Sequence, residues 1–406
     1  MPLQEARQHL ARGAWSEARA EFETVLANDA TSPEALEGLG WALFWLEDFD
    51  ESFARRETAY RLYLERGDKI AAARVATGIA VDSADMHGMA VSGGWLQRAR
   101  TLLANLETGP AHGWHALWEG HFARSFDHDL ARASDQAHRA QEIAVEFDLH
   151  DLALLAGALE GLIKVTAGNV RDGMRQLDEA AAAAVAGEFT DLDSIATTCC
   201  LLLHACERVR DYDRAAQWGE RIEMLAGKWR IGSMFIACEV EHAAMLVGRG
   251  EWEVADRALQ SALAMVEVKR PLTVPATAAQ LGELRRRQGR IDEALELFAR
   301  AEGITLAILG QAQIAFDRGD KERCAELIDR LHRRRMAEKW VERAIALELL
   351  VRARGDSEAL AEMREVAAMV GTDVIRAHAA SAEAAMASDP AEARRWLEDA
   401  VDLFEK

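Results

Sequence analysis

The sequence predicts an all-α protein built as a stack of helical hairpins. A pattern recurs along the chain: a bulky residue, a small one three positions later, a bulky one after four more, and a small or apolar one three further. In the first copy these residues are Trp15, Ala18, Phe22 and Val25. Spacings of three and four place such residues on one helix face. The pattern returns every 30 to 47 residues, which is typical of a repeat protein.

The small residue of each second helix marks one hairpin. We assign eleven markers along the chain: Ala18, Ser52, Ala99, Ala133, Gly173, Ala215, Ala255, Ala294, Cys324, Leu360 and Ala393. Eleven hairpins predict about 22 helices. Glycines between the paired helices, such as Gly250 and Gly319, provide the left-handed conformation that ends a helix. Half of the residues are apolar and only six are proline, a composition that suits helices throughout.

Three segments depart from the regular pattern. Ser32 and Pro33 have the residue types that cap and open a helix, so we expect the third helix to begin there. Ser92, Gly93 and Gly94 fall in the longest step between markers and predict a longer loop. Residues 269–275 contain two prolines four positions apart, which predicts a hinge between repeats. No shift in composition divides the chain, so we expect a single solenoid over residues 1–406.

Charge and cysteine content exclude several classes of function. A net charge of −20 repels phosphate backbones, so we expect no direct binding of nucleic acid. The N-terminus lacks the apolar core of a signal peptide. The sequence also contains no apolar run of about 18 residues, the length needed to cross a membrane. The five cysteines form no CxxC pair and no disulfide framework. These features predict a cytoplasmic protein.

The repeat pattern resembles the tetratricopeptide repeat. Five segments are also similar to the helical-repeat sensor region of bacterial LuxR-type regulators of the maltose-regulator class: EALEGLGWALFWLEDFDES, GWLQRARTLL, ACERVRDYDRAAQW, ELRRRQGRIDEALELFARAEG and WLEDAVDLFEK. The resemblance implies a right-handed α-solenoid superhelix of about eleven tetratricopeptide-like hairpins. The sequence shows neither the helix-turn-helix nor the nucleotide-binding loop of that family. We therefore expect the sensor function alone, in a stand-alone protein or in a fragment.

In tetratricopeptide repeats, certain positions of the first helix line a concave groove. Counting back from the markers predicts nine groove residues, on the first helices of the second, fourth and sixth hairpins: Trp41, Phe44, Trp45, His115, Trp118, Phe122, Cys200, His204 and Glu207. Aromatic rings with scattered polar groups suit an apolar ligand or an amphipathic partner helix. The alternative is that these side chains pack between helices, because periodicity does not distinguish one helix face from another.

The sequence favours binding over catalysis. It contains no GxSxG, HExxH or GxGxxG motif. Cys200, His204 and Glu207 share one helix face, but a metal requires further ligands and the pattern predicts no metal and no cofactor. We therefore predict a non-catalytic sensor or adaptor that binds a small apolar ligand or a protein partner. An enzyme that uses His115, or Cys200 with His204, is the alternative, and a self-associating homo-oligomeric scaffold is a third hypothesis.

Overall fold

The computed structural model describes residues 2–229, 236–332 and 339–405. Within these ranges the chain forms 22 α-helices and no β-strand. The helices are α1 (Pro2–Ala11), α2 (Trp15–Asn28), α3 (Pro33–Trp45), α4 (Phe49–Glu65), α5 (Lys69–Met86), α6 (Met89–Leu103), α7 (Pro110–Phe122), α8 (Leu130–Glu146), α9 (His150–Thr166), α10 (Val170–Ala186), α11 (Leu192–Val209), α12 (Tyr212–Trp229), α13 (Ile236–Arg249), α14 (Trp252–Lys269), α15 (Val274–Arg287), α16 (Ile291–Arg300), α17 (Thr305–Asp317), α18 (Lys321–His332), α19 (Trp340–Arg354), α20 (Ser357–Val370), α21 (Asp373–Met386) and α22 (Pro390–Phe404).

From α1 to α8 and from α15 to α22, consecutive helices pair into hairpins, and each hairpin in these two series packs on the next. Helix α3 packs on α4, α5 on α6 and α21 on α22. The second helix of one hairpin then contacts the first helix of the following one, as α2 contacts α3 and α14 contacts α15. The prediction of an all-α solenoid of helical hairpins is confirmed. No helix in the described part of the chain combines the length and apolar character needed to cross a membrane.

Ten of the eleven markers occupy the same place in their helices. Each is the fourth residue of an even-numbered helix, from Ala18 in α2 to Ala393 in α22. Ala99 is the exception and is a wrong assignment, because the fourth residue of α6 is Ser92. Ser92 Oγ donates a hydrogen bond to Ala80 O at 2.5 Å, just as Ser52 Oγ donates to Gly40 O at 2.7 Å. With Ser92 as the marker, the repeats between Ser52 and Ala294 are 39 to 42 residues long.

The expected loop at residues 92–94 is therefore also wrong. Ser92, Gly93 and Gly94 lie inside α6, which runs without interruption from Met89 to Leu103. The loss of helix propensity at two glycines, about 1 kcal/mol each, is smaller than the gain from packing a helix into the stack. The buried hydroxyl of Ser92 contributes to that packing by satisfying a carbonyl of α5.

Capping residues, glycines and prolines set the helix boundaries at the other positions that the sequence singled out. Ser32 Oγ accepts a hydrogen bond from Ala35 N at 3.3 Å, and Pro33 opens α3, as predicted. Gly250 and Gly319 have φ values of 84° and 82°, in the left-handed region. In the segment 269–275, α14 ends at Lys269 and a 3-10 turn precedes α15. The break between the helices is thus present, whereas its action as a hinge stays a prediction.

The chain divides into two compact units. The first unit comprises residues 1–163, 173–202 and 220–236, and the second comprises residues 164–172, 203–219 and 237–406. In the first unit, Phe22 is fully buried between α2 and α3 with Leu39 and Leu43. In the second, buried side chains of α17 to α21 form one continuous apolar cluster around Leu347 and Met363. A single solenoid over the full length stays a prediction.

The markers have a testable consequence for stability. Ala255 is fully buried at the fourth position of α14. Replacing it by leucine should destabilise the protein by roughly 1–3 kcal/mol, because the site has no space for a larger side chain. Chemical unfolding followed by circular dichroism would measure the loss. Ala264→Leu, at an exposed position of the same helix, is the matched control and should change stability by less than about 0.5 kcal/mol. Equal effects of the two substitutions would contradict the assigned register.

Candidate functional site

In the first unit, α3 carries the predicted aromatic residues of the second hairpin. Trp41 and Trp45 are half-buried, whereas Phe44 is buried. Trp45 stacks on Trp15 of α2 with ring centroids 4.7 Å apart and planes inclined by 7°. Trp41 lies over Gly78 of α5, where a Cβ atom would be 3.3 Å from the indole. Both tryptophans therefore contribute to packing and keep part of their surface exposed, while Phe44 belongs to the helix interface.

A buried arginine lies behind these rings. The Arg56 side chain is 1 % exposed, and its guanidinium carbon lies 4.9 Å from the centroid of the Trp41 ring. Phe44 and Phe53 contact the same guanidinium at 5.5 and 5.0 Å. Arg56 is four residues after marker Ser52, the position that Phe22 and Phe298 occupy in their hairpins. A cation thus takes a core position and is stabilised there by aromatic faces.

Two carboxyl groups lie near Arg56. Arg56 Nη1 donates to Asp82 Oδ2 of α5 at 2.5 Å. Asp193, in the first turn of α11, interacts electrostatically with both Asp82 and Arg56. Burial raises the pKa of the Asp193 carboxyl well above its usual value, the neighbouring Asp191 and Asp82 raise it further, and Arg56 lowers it only in part. We call Trp41, Trp45, Arg56, Asp82 and Asp193 the aromatic–acidic cluster. Acidic groups outnumber the single cation in this cluster.

The predicted groove residues on α7 are shifted by one position. A π-helical turn at Ala123–Asp127 follows α7 and adds a residue to the hairpin. A Cβ at Gly120 would meet Ala133 O, thirteen residues later, whereas Gly40 and Gly161 meet carbonyls twelve residues later. The residue equivalent to Trp41 is therefore His121. Phe122 turns into the core and is 7 % exposed, and Trp118 packs on the cluster of Leu96 and Phe122.

His115 belongs to a buried ionic network of the first unit. Its Nδ1 lies 3.4 Å from Thr77 Oγ1 and its Nε2 lies 3.4 Å from Glu119 Oε1. Glu119 also pairs with Arg100 and Arg132. Burial alone would raise the pKa of Glu119, but the hydrogen bonds and charges of His115 and Arg100 together lower it to about 2. The network satisfies buried charges between α6, α7 and α8, which is the packing alternative that the sequence left open.

The three candidates on α11 each have a partner within the protein. Cys200 is disulfide-bonded, although the sequence predicted no disulfide framework, whereas Cys199, Cys206 and Cys324 form no disulfide. His204 Nδ1 lies 2.6 Å from Glu241 Oε1 of α13. Glu207 pairs with Arg210. Among the described residues, histidine, cysteine, aspartate and glutamate side chains form no group of three suited to a metal ion. Beside the burial that raises the pKa of Glu207, His204 and Glu241 nevertheless lie close enough for their charges to shift this pKa, His204 downward and Glu241 upward.

Glu207 is part of a partly buried triad in the second unit. Arg210 follows α11 with a φ of 58°, and its Nη2 lies 3.5 Å from Glu342 Oε1 in the first turn of α19. The three side chains are each 14 to 15 % exposed. Two residues before Glu342, Trp340 Nε1 donates a hydrogen bond to Thr166 O at 2.8 Å. The Arg210–Glu342 and Thr166–Trp340 contacts join residues 132 and 174 positions apart, and no local sequence pattern predicts contacts of that range.

Comparison with known proteins supports the repeat architecture. No family model and no curated protein matches the chain. Among solved structures, the chain is similar to a Rap protein complexed with competence and sporulation factor, with a TM-score of 0.56 and 14 % identity over 92 % of this chain and 98 % of that chain. Yeast Tom70 matches with a TM-score of 0.43 and 12 % identity over 99 % of this chain and 91 % of that chain. At these identities the likeness shows the helical-repeat fold alone. The link to LuxR-type regulators stays a hypothesis.

Proposed function

We propose that this chain is a non-catalytic binding scaffold, a regulatory sensor or adaptor, and that the aromatic–acidic cluster binds its partner. The observation that carries the proposal is the half-buried Trp41, whose ring contacts Arg56, beside two carboxyl groups that outnumber this one arginine. Exposed indole surface binds apolar groups, and carboxylates with aromatic faces bind cations. We infer that the partner is a protein segment with apolar side chains and at least one lysine or arginine.

Two further observations support this partner. The net charge of −20 attracts basic segments over long range and raises their association rate. The similar Rap structure is recorded as a complex with competence and sporulation factor, so a fold of this kind holds a bound factor. A small apolar ligand would use the indole surface but would gain nothing from the second carboxyl group, Asp193, beside the Arg56–Asp82 ion pair.

The chemistry of the candidate nucleophiles disfavours the alternative of an enzyme. Burial raises the pKa of the Cys199 thiol to about 12, and burial is also the main cause that raises the pKa of Cys324 to about 11. Both thiols are therefore protonated near neutral pH and are poor nucleophiles. Cys200 is disulfide-bonded, and His115 is held in the ionic network of Glu119. Glu241 orients the His204 imidazole, which is the arrangement of a general base. Nucleophilic catalysis requires a reactive nucleophile beside such a base as well.

A displayed library of random peptides, selected on the purified chain, tests the proposal. We expect enriched peptides to combine aromatic or aliphatic residues with lysine or arginine. Trp41→Ala should weaken binding of an enriched peptide by roughly 2 kcal/mol, as for a central anchor. Trp252→Ala, at a tryptophan 37 % exposed on α14 of the second unit, is the matched control and should leave affinity unchanged. Calorimetry gives the affinity and thermal unfolding gives the stability of each variant.

The pH dependence of binding tests the role of the carboxyl groups. A cationic group on the peptide favours the ionised form of Asp193, whose pKa is raised in the free protein. Binding should therefore release a proton, and affinity should rise as pH rises through that raised pKa. Asp193→Asn should remove this dependence. Enriched peptides without basic residues, or full affinity in Trp41→Ala together with lower stability, would contradict the proposed site.

A further inference from the structure

Helix α5 carries a row of residues that begins with an arginine and ends in the aromatic–acidic cluster. Arg74, Gly78 and Asp82 follow one another at intervals of four residues, which places them on one side of the helix. Arg74 Nη2 donates to Glu37 Oε2 of α3 at 2.7 Å. Gly78 lies against the Trp41 indole of α3, and Asp82 is a member of the cluster. Opposite charges therefore lie at the two ends of the row, about 12 Å apart along the helix axis, with the half-buried Trp41 between them.

The Arg74 end of this row has more cations than anions. Burial raises the pKa of the Glu37 carboxyl, whereas the charges of Arg74 and Arg7 lower it, so both guanidinium groups lie near this carboxyl. Glu34, which lies near the same carboxyl, is 3.6 Å from Arg66. Arg74 keeps 57 % of its side chain exposed, and within the described residues its hydrogen bond to Glu37 is the only one that it makes. An arginine has five N–H donors, so this guanidinium has donors left for a ligand.

The other end of the row has the opposite balance, because Asp82 and Asp193 outnumber Arg56. A guanidinium binds a carboxylate through two parallel hydrogen bonds, and a segment that crosses Trp41 from the acidic end reaches Arg74 next. Given the function proposed above, we propose that the bound segment also carries an acidic side chain, which binds Arg74, and that the two charged ends fix the direction in which the segment lies. In an extended segment, about 12 Å corresponds to about three to four residues.

Selection of the random peptide library on two forms of the chain tests this inference. On the original chain, enriched peptides should carry aspartate or glutamate about three to four residues from the lysine or arginine, and on the same side of it in every peptide. On Arg74→Glu, a basic residue should replace the acidic one. Arg61→Glu makes the same change of charge at an exposed arginine of α4. It is the matched control and should keep the original pattern.

A second variant covers the case in which a glutamate beside Glu37 prevents folding. Arg74→Gln keeps an amide donor for Glu37 and removes the charge. This variant should still select the basic residue and should lose the preference for the acidic one. Thermal unfolding measures the stability of each variant, so that a loss of binding through unfolding is recognised.

Calorimetry on one enriched peptide, synthesised with an amidated C-terminus, gives the size of the effect. Exchanging the basic and acidic residues of the peptide keeps its composition and net charge. The exchange should weaken binding at least about tenfold, since like charges then meet at both ends. Replacing the acidic residue by its amide should weaken binding about fivefold. Replacing it by lysine should weaken binding to the original chain, and Arg74→Glu should restore the affinity to within about threefold.

The outcomes separate this inference from the proposed function. Enriched peptides with a basic residue and no acidic one, or an exchanged peptide that binds equally well, would overturn the inference and leave the proposed function intact. Binding that is lost on amidation would assign Arg74 to a terminal carboxylate and would also overturn it. Enriched peptides without a basic residue, or an affinity that Trp41→Ala leaves unchanged, would contradict both.

Discussion

Replacing Phe298 by alanine should cost the second unit about 3–5 kcal/mol of unfolding free energy, as for a fully buried aromatic side chain. Phe298 is 1 % exposed and lies between two glycines, Gly282 of α15 and Gly310 of α17. A Cβ atom at Gly282 would come within 2.7 Å of the ring, and a Cβ at Gly310 would be closer still. Because glycine has no side chain, nothing at these two positions can fill the cavity that alanine would leave.

The location of the loss is part of this prediction. In a stack of repeats each hairpin contacts only its neighbours, so a cavity should weaken the nearest helices first. Native-state hydrogen exchange should therefore show the largest loss of protection in α15, α16 and α17. Phe147→Ala, at a phenylalanine 36 % exposed, is the control and should cost less than about 1 kcal/mol. Uniform loss of protection over the second unit, or a loss equal to that of the control, would contradict the assigned packing.

The repeat architecture was predictable because its signal is periodic and redundant. Ten of eleven markers fall on the same helical position, and each marker is supported by neighbours three or four residues away. The one wrong marker, Ala99, arose where two glycines made a helix resemble a loop. Packing overrides local propensity at this point, since the Ser92 hydroxyl and its buried neighbours hold α6 against α5. Composition alone does not report such a contact.

The candidate site was less predictable, for two physical reasons. The π-helical turn after α7 adds one residue, so counting back from marker Ala133 is wrong by one position on α7. One position corresponds to about one hundred degrees around a helix, and the sequence therefore predicted Phe122 in the place of His121. No residue type in that turn signals the insertion. The second reason is that Arg56 is buried at a position that Phe22, Leu259 and Phe298 occupy in their hairpins. Its role depends on rings from α3 and α4 and on Asp82 of α5, a set of contacts that only the folded chain brings together.

The triad of Glu207, Arg210 and Glu342 is a second feature that sequence reasoning missed in part, and it yields the last prediction. Arg210→Ala should destabilise the second unit by about 3–5 kcal/mol at neutral pH, because two carboxylates of low exposure would lose their common cation. Arg323→Ala removes one member of an exposed ion pair with Glu326 in the same unit. It is the matched control and should cost less than about 1 kcal/mol.

The deficit of Arg210→Ala should depend on pH in a defined direction. In the native chain, burial raises the pKa of Glu207 although Arg210 lowers it in part, whereas Arg210 is the main cause that holds the pKa of Glu342 below its usual value against burial. Without Arg210, burial should raise the pKa of both groups above the unfolded value of about 4.3. Their protonated forms would then be favoured in the folded state, so the variant should lose stability as pH rises from about 4.5 to 7. Chemical unfolding of both proteins across this range should therefore show the difference between them shrinking toward acidic pH. A deficit that is constant with pH would show that the carboxylates do not depend on Arg210, and that the cost of the substitution comes from lost packing at the turn after α11.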